Sequence, residues 1–243
     1  IRDKALSDRL GAMELAATVQ GRLADLRRRE PAEQDSRVQV GQYAPVMIMQ
    51  EGRRTVVPMR YHCRLPGWTA FVERQHPDTY QARRGDLRKT WSKLFGYRHG
   101  VLVVTRFYET PAKPEACRGQ EPAGGRDEDA LLEFNPTLPR AMLVPCLWNF
   151  SPPSTPEERD IFSFAAITDA SPPEVAATGH AHCIVSMKRE SLDAWLNPDP
   201  NNLAALHAIL DSRETGGPFD IQACSPLRLR RLPSSLGHPS PAS

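Results

Sequence analysis

The sequence predicts a mixed α+β domain, on three observations. Short runs rich in β-branched and aromatic residues, bounded by Gly, Pro, Asn or Asp, read as strands. Helical stretches interleave with these runs without regular alternation, which argues against a doubly wound parallel sheet. No segment of the chain repeats.

The elements follow in chain order. Residues 1–30 read as an amphipathic helix: Leu6, Leu10, Met13, Ala17, Leu23 and Leu26 recur mostly at three- and four-residue steps. Arg27, Arg28 and Arg29 crowd its last turn, where cations suit the helix dipole, and Pro31 stops it. This helical segment is assigned residues 1–36. Strands are expected at 38–40, 46–49, 55–59, 101–107, 142–148, 162–168 and 183–187, and helices near 86–95, 174–177, 190–196 and 203–212. Asp199 or Asn201 is expected to cap the last of these. Residues 111–125 are rich in Pro and Gly and lead into the acidic cluster Asp127, Glu128 and Asp129, so they read as a surface loop. The main domain is placed at 37–215. From Gly216 the chain turns to Pro, Ser and Gly, and 216–243 reads as a disordered tail.

Composition narrows the function classes. The chain has 243 residues, 40% hydrophobic and 25% charged, with a mean hydropathy of −0.48. That is enough to bury a core without a disulfide or metal scaffold. No stretch approaches the ~18 apolar residues of a membrane-spanning helix, and a channel, a collagen and a coiled-coil rod are excluded. The net charge of +2 discriminates little, and the arginine-rich basic set is weak evidence for a nucleic-acid partner. Five cysteines without a C-x-x-C pair point to reduced thiols in the cytoplasm. The first apolar run is broken by Arg2, Asp3, Lys4, Asp8 and Arg9, so no signal peptide is expected. A chain starting at Ile1 is expected to be a fragment or a processed product.

Three stretches carry chemistry. Residues 80–109 hold seven cations (Arg83, Arg84, Arg88, Lys89, Lys93, Arg98, Arg106) against Asp86 and Glu109, with Tyr80, Trp91, Phe95, Tyr97, Phe107 and Tyr108 between them. Cations that follow a sugar–phosphate chain beside rings that stack on bases suit single-strand binding; a basic helix with its aromatics in the core is the other reading. In Gly179-His180-Ala181-His182-Cys183, histidine is the default proton shuttle. A zinc site, a Cys183–His180 nucleophile pair and locally satisfied loop histidines all stay open. Glu109 ends an apolar strand against aromatic neighbours. There a carboxyl can titrate high enough to act as an acid or base, or it can be a surface glutamate.

The order of the pieces adds information. Ala44-Pro45, Ala82-Arg83-Arg84, Phe107-Tyr108-Glu109, Leu147-Trp148, the run from Phe164 to Thr168, Gly179-His180 and Asp193-Ala194-Trp195-Leu196 follow one another. The series resembles the SOS response-associated peptidase (SRAP) family from about Arg37 to Arg213, in a divergent branch with a long helical insert. The resemblance implies a bent mixed β-sheet core with short peripheral helices. It implies binding of single-stranded DNA, recognition of abasic sites, and covalent DNA–protein crosslinking through an N-terminal cysteine that self-processing uncovers. It implies no cofactor and no metal, and a monomer. By motif, Glu109 and His180 match the active-site acid–base residues, and Gln81 stands where the family carries asparagine. Arg83 matches the phosphate-contacting arginine, with Arg84 and Arg88 beside it, and His182 replaces the arginine of H-x-R. The family's tryptophans are replaced around Tyr61 and His62. A non-enzymatic DNA-binding relative is the alternative, and a thiol hydrolase using Cys183 and His180 a third.

Overall fold

The computed structural model describes residues 37–109, 131–137, 141–153, 155–156, 158–214 and 218–224. The chain divides into two units, Ile1–Val38 and Gln39–Ser243, and the fold below is that of the second. The helix expected over residues 1–30, the 111–125 loop and its acidic cluster lie outside the described residues.

Two apolar alternating runs start the domain. Strands β1 (Tyr43–Gln50) and β2 (Arg53–Tyr61) pair antiparallel. Their two-residue turn holds Glu51 and Gly52 at φ 51° and 72°, the left-handed pair that matches the twist of a tight hairpin. β1 also pairs with β4 (His99–Val104), β4 with β7 (Met142–Ser151), and β7 with β8 (Ile161–Ala170), all antiparallel. A short parallel ladder between β2 and β8, Arg60 to Ser163 and Tyr61 to Phe164, closes the five strands into a barrel-like core. Past this closure β8 runs on and is flanked by β3 (Gln81–Arg83), parallel, and β9 (His182–Ile184), antiparallel. A second sheet has the order β10 (Phe219–Cys224), β6 (Leu131–Pro136), β5 (Phe107–Glu109).

The period-two pattern sorts each strand's side chains to two sides. Ala44, Val46, Ile48, Met59, Val144, Cys146, Phe164 and Ala166 fill the interior of the barrel. Val101, Leu147, Ala165 and Ile167 face outward. They are covered by Leu87, Trp91, Leu94 and Phe95, by α3 (Leu192–Leu196), and by α4 (Leu203–Asp211). Behind the barrel's closure sits a buried ionic cluster. Glu73 of α1 (Ala70–Arg74) accepts from Arg60 and from Arg64 Nε (2.9 Å), with His62 Nδ1 at 3.3 Å. Among the described residues no helix is long and apolar enough to cross a membrane.

Several sequence expectations change. Residues 38–40 are not a strand, and 101–107 is broken at Thr105 and Arg106 into β4 and β5. The helix expected at 86–95 is a 3-10 turn, Arg84–Asp86, followed by successive turns. Its apolar spacing nevertheless marked the buried face. The α4 cap is Asn202, whose side chain accepts from Ala205 N at 3.2 Å; Asp199 instead bonds Asn201 N. Three strands escaped notice: β3 is too short to show a pattern, and β6 buries the neighbours Glu133 and Phe134 rather than alternating. β10 overturns the start of the expected tail, because Phe219 and Ile221 alternate with exposed Asp220. Residues 225–243 lie outside the described residues.

Candidate functional site

The site forms where β8 outruns the barrel. Arg83 of β3 and Ile184 of β9 both pair with Thr168, one on each side of β8. Paired residues share a face, so Gln81, Arg83, Ile184 and His182 project to the side of Ala166, Thr168 and Ala170, which continues the barrel interior. The hydroxyl of Thr168 is buried there without a hydrogen-bond partner among the described residues.

Glu109 ends β5, two residues after Phe107, whose ring stacks on Phe134 at 4.8 Å. His180 arrives from the other direction. Helix α2 (Pro173–Ala176) stops as Thr178 Oγ1 donates to Val175 O (2.7 Å) and Gly179 takes φ 94°, a conformation that turns the chain sharply. His180 Nδ1 then lies 3.7 Å from Glu109 Oε2, with both side chains partly exposed. Its Nε2 is buried with no hydrogen-bond partner among the described residues. Burial pushes the Glu109 carboxyl up to about 7, so near neutral pH it is present in both protonation states.

Two tyrosines wall this pair. Tyr61, at the end of β2, stacks on Phe164 (5.0 Å) and meets Tyr80 edge-on (5.9 Å). Both phenols are raised above their ordinary range, first by burial and in part by the charge of Glu109. Tyr80 leads directly into Gln81, which is half-buried in β3.

The predicted cations separate. Arg83 and Arg88 are exposed, and Arg83 lies close enough to Tyr80 to act on its phenol. Arg84 is not available in the same way: it bonds Asp211 and, at 3.0 Å, Asp169 on the opposite face of β8. Arg106 pairs with Glu133 at 2.7 Å, and Arg98 lies over Trp148 and donates to Asn149 (2.8 Å). Trp91 and Phe95 are core residues, not stacking plates. His182 is exposed at the start of β9.

The structure argues against the Cys183–His180 thiol alternative. Cys183 is buried, its Sγ donates to Ile184 O at 3.5 Å, and burial raises its pKa. A protonated, inward-facing thiol is a poor nucleophile. Among the described residues no group of three or more His, Cys, Asp or Glu side chains could hold a metal ion. The sequence reading placed Thr168 and Tyr61 at motif positions of the family but gave neither a role in the site.

Comparison with known proteins adds family and fold. The family model described as SOS response associated peptidase (SRAP) matches residues 7–223. No curated protein matches in sequence. The fold is similar to a crystal structure of a protein from Bordetella bronchiseptica at 14% identity, with a TM-score of 0.55, covering 75% of this chain and 84% of that one. It is similar to a Bacteroides thetaiotaomicron protein at 12% identity and TM-score 0.56, covering 75% and 74%. A phage-related protein from B. bronchiseptica matches at 13% identity and TM-score 0.52, covering 77% and 80%.

Proposed function

Since the chain belongs to the SRAP family, which is associated with the response to DNA damage, we propose that it binds single-stranded DNA and recognises abasic sites at the Glu109–His180 pair. The observation that carries this reading is the 3.7 Å approach of two titratable side chains, 71 positions apart in sequence, beside an imidazole nitrogen with no partner among the described residues.

An abasic deoxyribose exists mainly as a closed hemiacetal. Opening it requires loss of the hydroxyl proton at C1′ and protonation of the ring oxygen. A carboxyl poised near pH 7 beside an imidazole supplies one group for each transfer, and proton-transfer catalysis is most efficient when the pKa lies near the working pH. Arg83, exposed on the same face as Thr168, is placed to hold the phosphate next to the sugar, with Arg88 further along the strand. Gln81 in β3 orients the sugar by its amide. The crosslink that the resemblance implies needs an amine and a thiol on one residue, an N-terminal cysteine. Internal cysteines do not substitute: burial pushes the thiols of Cys63 and Cys146 to about 12. We place the protein in the cytoplasm, acting as a monomer without a cofactor.

The test compares single-stranded oligonucleotides with and without one abasic site. The expected result is tighter binding of the abasic strand, lost in Glu109→Gln and His180→Ala. A heat-stable adduct adds the covalent step; binding without an adduct identifies a relative that recognises the lesion without crosslinking. Equal affinity for damaged and undamaged strands refutes the proposal.

A further inference from the structure

A cavity of about 500 Å³ lies between the second sheet and the end of β8. Phe107 and Phe219 form one wall, meeting edge to face at 5.3 Å. Cys183 and Ile184 of β9 form another, and the segment through Ser171 lines it as well. Its volume and largely apolar lining are those of a site for a flat organic group. Glu109 and His180 do not line the cavity, but two of its lining residues, Phe107 and Cys183, lie near Glu109. Phe107 lies two residues before Glu109 on one strand face, and the Cys183 thiol feels the charge of Glu109.

Its polar groups select the occupant. Glu174 and Glu214 line it, and the one cation among the described lining residues, Arg213, donates to Ala170 O (2.9 Å) and lies 3.8 Å from Asp169 Oδ2. A phosphate or carboxylate is therefore disfavoured, and a neutral ring is favoured. Ser171 Oγ lies buried beside the Cys183 thiol, whose own hydrogen goes to Ile184 O; apart from that weak sulfur neighbour it has no nitrogen or oxygen hydrogen-bond partner among the described residues. A buried hydroxyl in an apolar cavity gains from a ligand edge that carries nitrogen or oxygen acceptors.

Distance ties this cavity to the strand. Ile184, in its wall, and Arg83, at the proposed phosphate, flank the same residue of β8. Two strand spacings of ~4.8 Å put their Cα atoms roughly 10 Å apart. That is about three stacked-base steps of ~3.4 Å, and fewer in an unstacked strand. We infer that the cavity is a subsite for one unpaired base near the lesion, seated against Phe107 and Phe219 and hydrogen-bonded by Ser171. The inference rests on the single-stranded DNA reading above. An unpaired base enters without breaking a pair, so seating it there favours single strands over duplex.

The experiment uses single strands with a tetrahydrofuran abasic analogue, in which 2-aminopurine is moved one position at a time to either side. End-label anisotropy reports binding and 2-aminopurine emission reports the environment of the base. The expected result is a severalfold emission change at one position or two adjacent ones. Deleting the base at that position should weaken binding about 10-fold, and Ser171→Ala should reduce that penalty to about threefold, with its thermal melt confirming the fold. Binding with uniform emission, or a base-deletion penalty unchanged in Ser171→Ala, overturns the subsite and leaves the DNA reading standing. Failure of every single strand to bind overturns the DNA reading and the subsite with it.

Discussion

Replacing Glu109 by Gln should make the protein more stable and less able to discriminate abasic DNA. The carboxyl is raised from 4.5 to about 7 by burial, so it ionises more readily in the unfolded chain than in the folded one. Below pH ~4.5 both states hold the proton and the site costs nothing; as pH rises through 7 the folded state loses stability. A shift of about 2.5 units at ~1.36 kcal/mol each is roughly 3 kcal/mol. The side chain keeps 30% exposure, and solvent screening brings the expected effect to about 1–3 kcal/mol. Urea unfolding of both proteins from pH 4.5 to 8.5 measures it. The difference, variant minus wild type, should be small at the acid end and grow with pH until it levels off above 7. Taking the difference cancels other titrating groups. A difference that stays constant across this range would show that Glu109 is solvated in the folded protein, and the acid–base reading of the site would go with it.

Other outcomes follow from the same structure. His99 is buried, accepts from Gly96 N (2.8 Å), lies 3.1 Å from Trp195 O, and is lowered by burial to about 3. Stability should therefore fall as pH drops below ~6.5; His99→Leu should flatten that limb in an acid titration while lowering the melting temperature at pH 7. Arg83→Ala should weaken single-strand binding and reduce the slope of log affinity against log salt by ~0.7. Arg84→Ala should leave that slope unchanged and destabilise the fold by ~1–3 kcal/mol, through its lost bonds to Asp169 and Asp211. Glu73→Ala removes the carboxylate shared by Arg60 and the buried Arg64, leaving Arg64 the longer contact to Glu158 at 3.5 Å, and should cost about 3–5 kcal/mol in a denaturant titration. Equal salt slopes for the two arginine variants would show that they do the same work.

Much of the fold was legible because burial imposes a period. The runs that became β1, β2, β7 and β8 are long enough for alternation or continuous apolarity to declare them. Leu87, Trp91, Leu94 and Phe95 marked a buried face even though their hydrogen bonding is a series of turns. β6 and β10 were missed because each owes its strand conformation to the other: Phe219 pairs with Pro136 and Cys224 with Leu131, across more than eighty residues. No local window contains that information.

Sequence alone determined which side chains could do the chemistry. Residue type and place at the edges of apolar strands left Glu109 and His180 open between site and surface roles, and the resemblance to the SRAP family made them the acid–base candidates. Tertiary structure decided which of the charged residues are free to act. Arg83 and Arg84 are neighbours, yet the β3–β8 register turns the first to the side of Thr168, while the second reaches Asp169 on the other face. Cys183 points inward, where a thiol stays protonated. The physical reason is that proton affinity and ion pairing depend on distances set by long-range strand register, and side chains from distant segments of the chain fix those distances only once the sheet has formed.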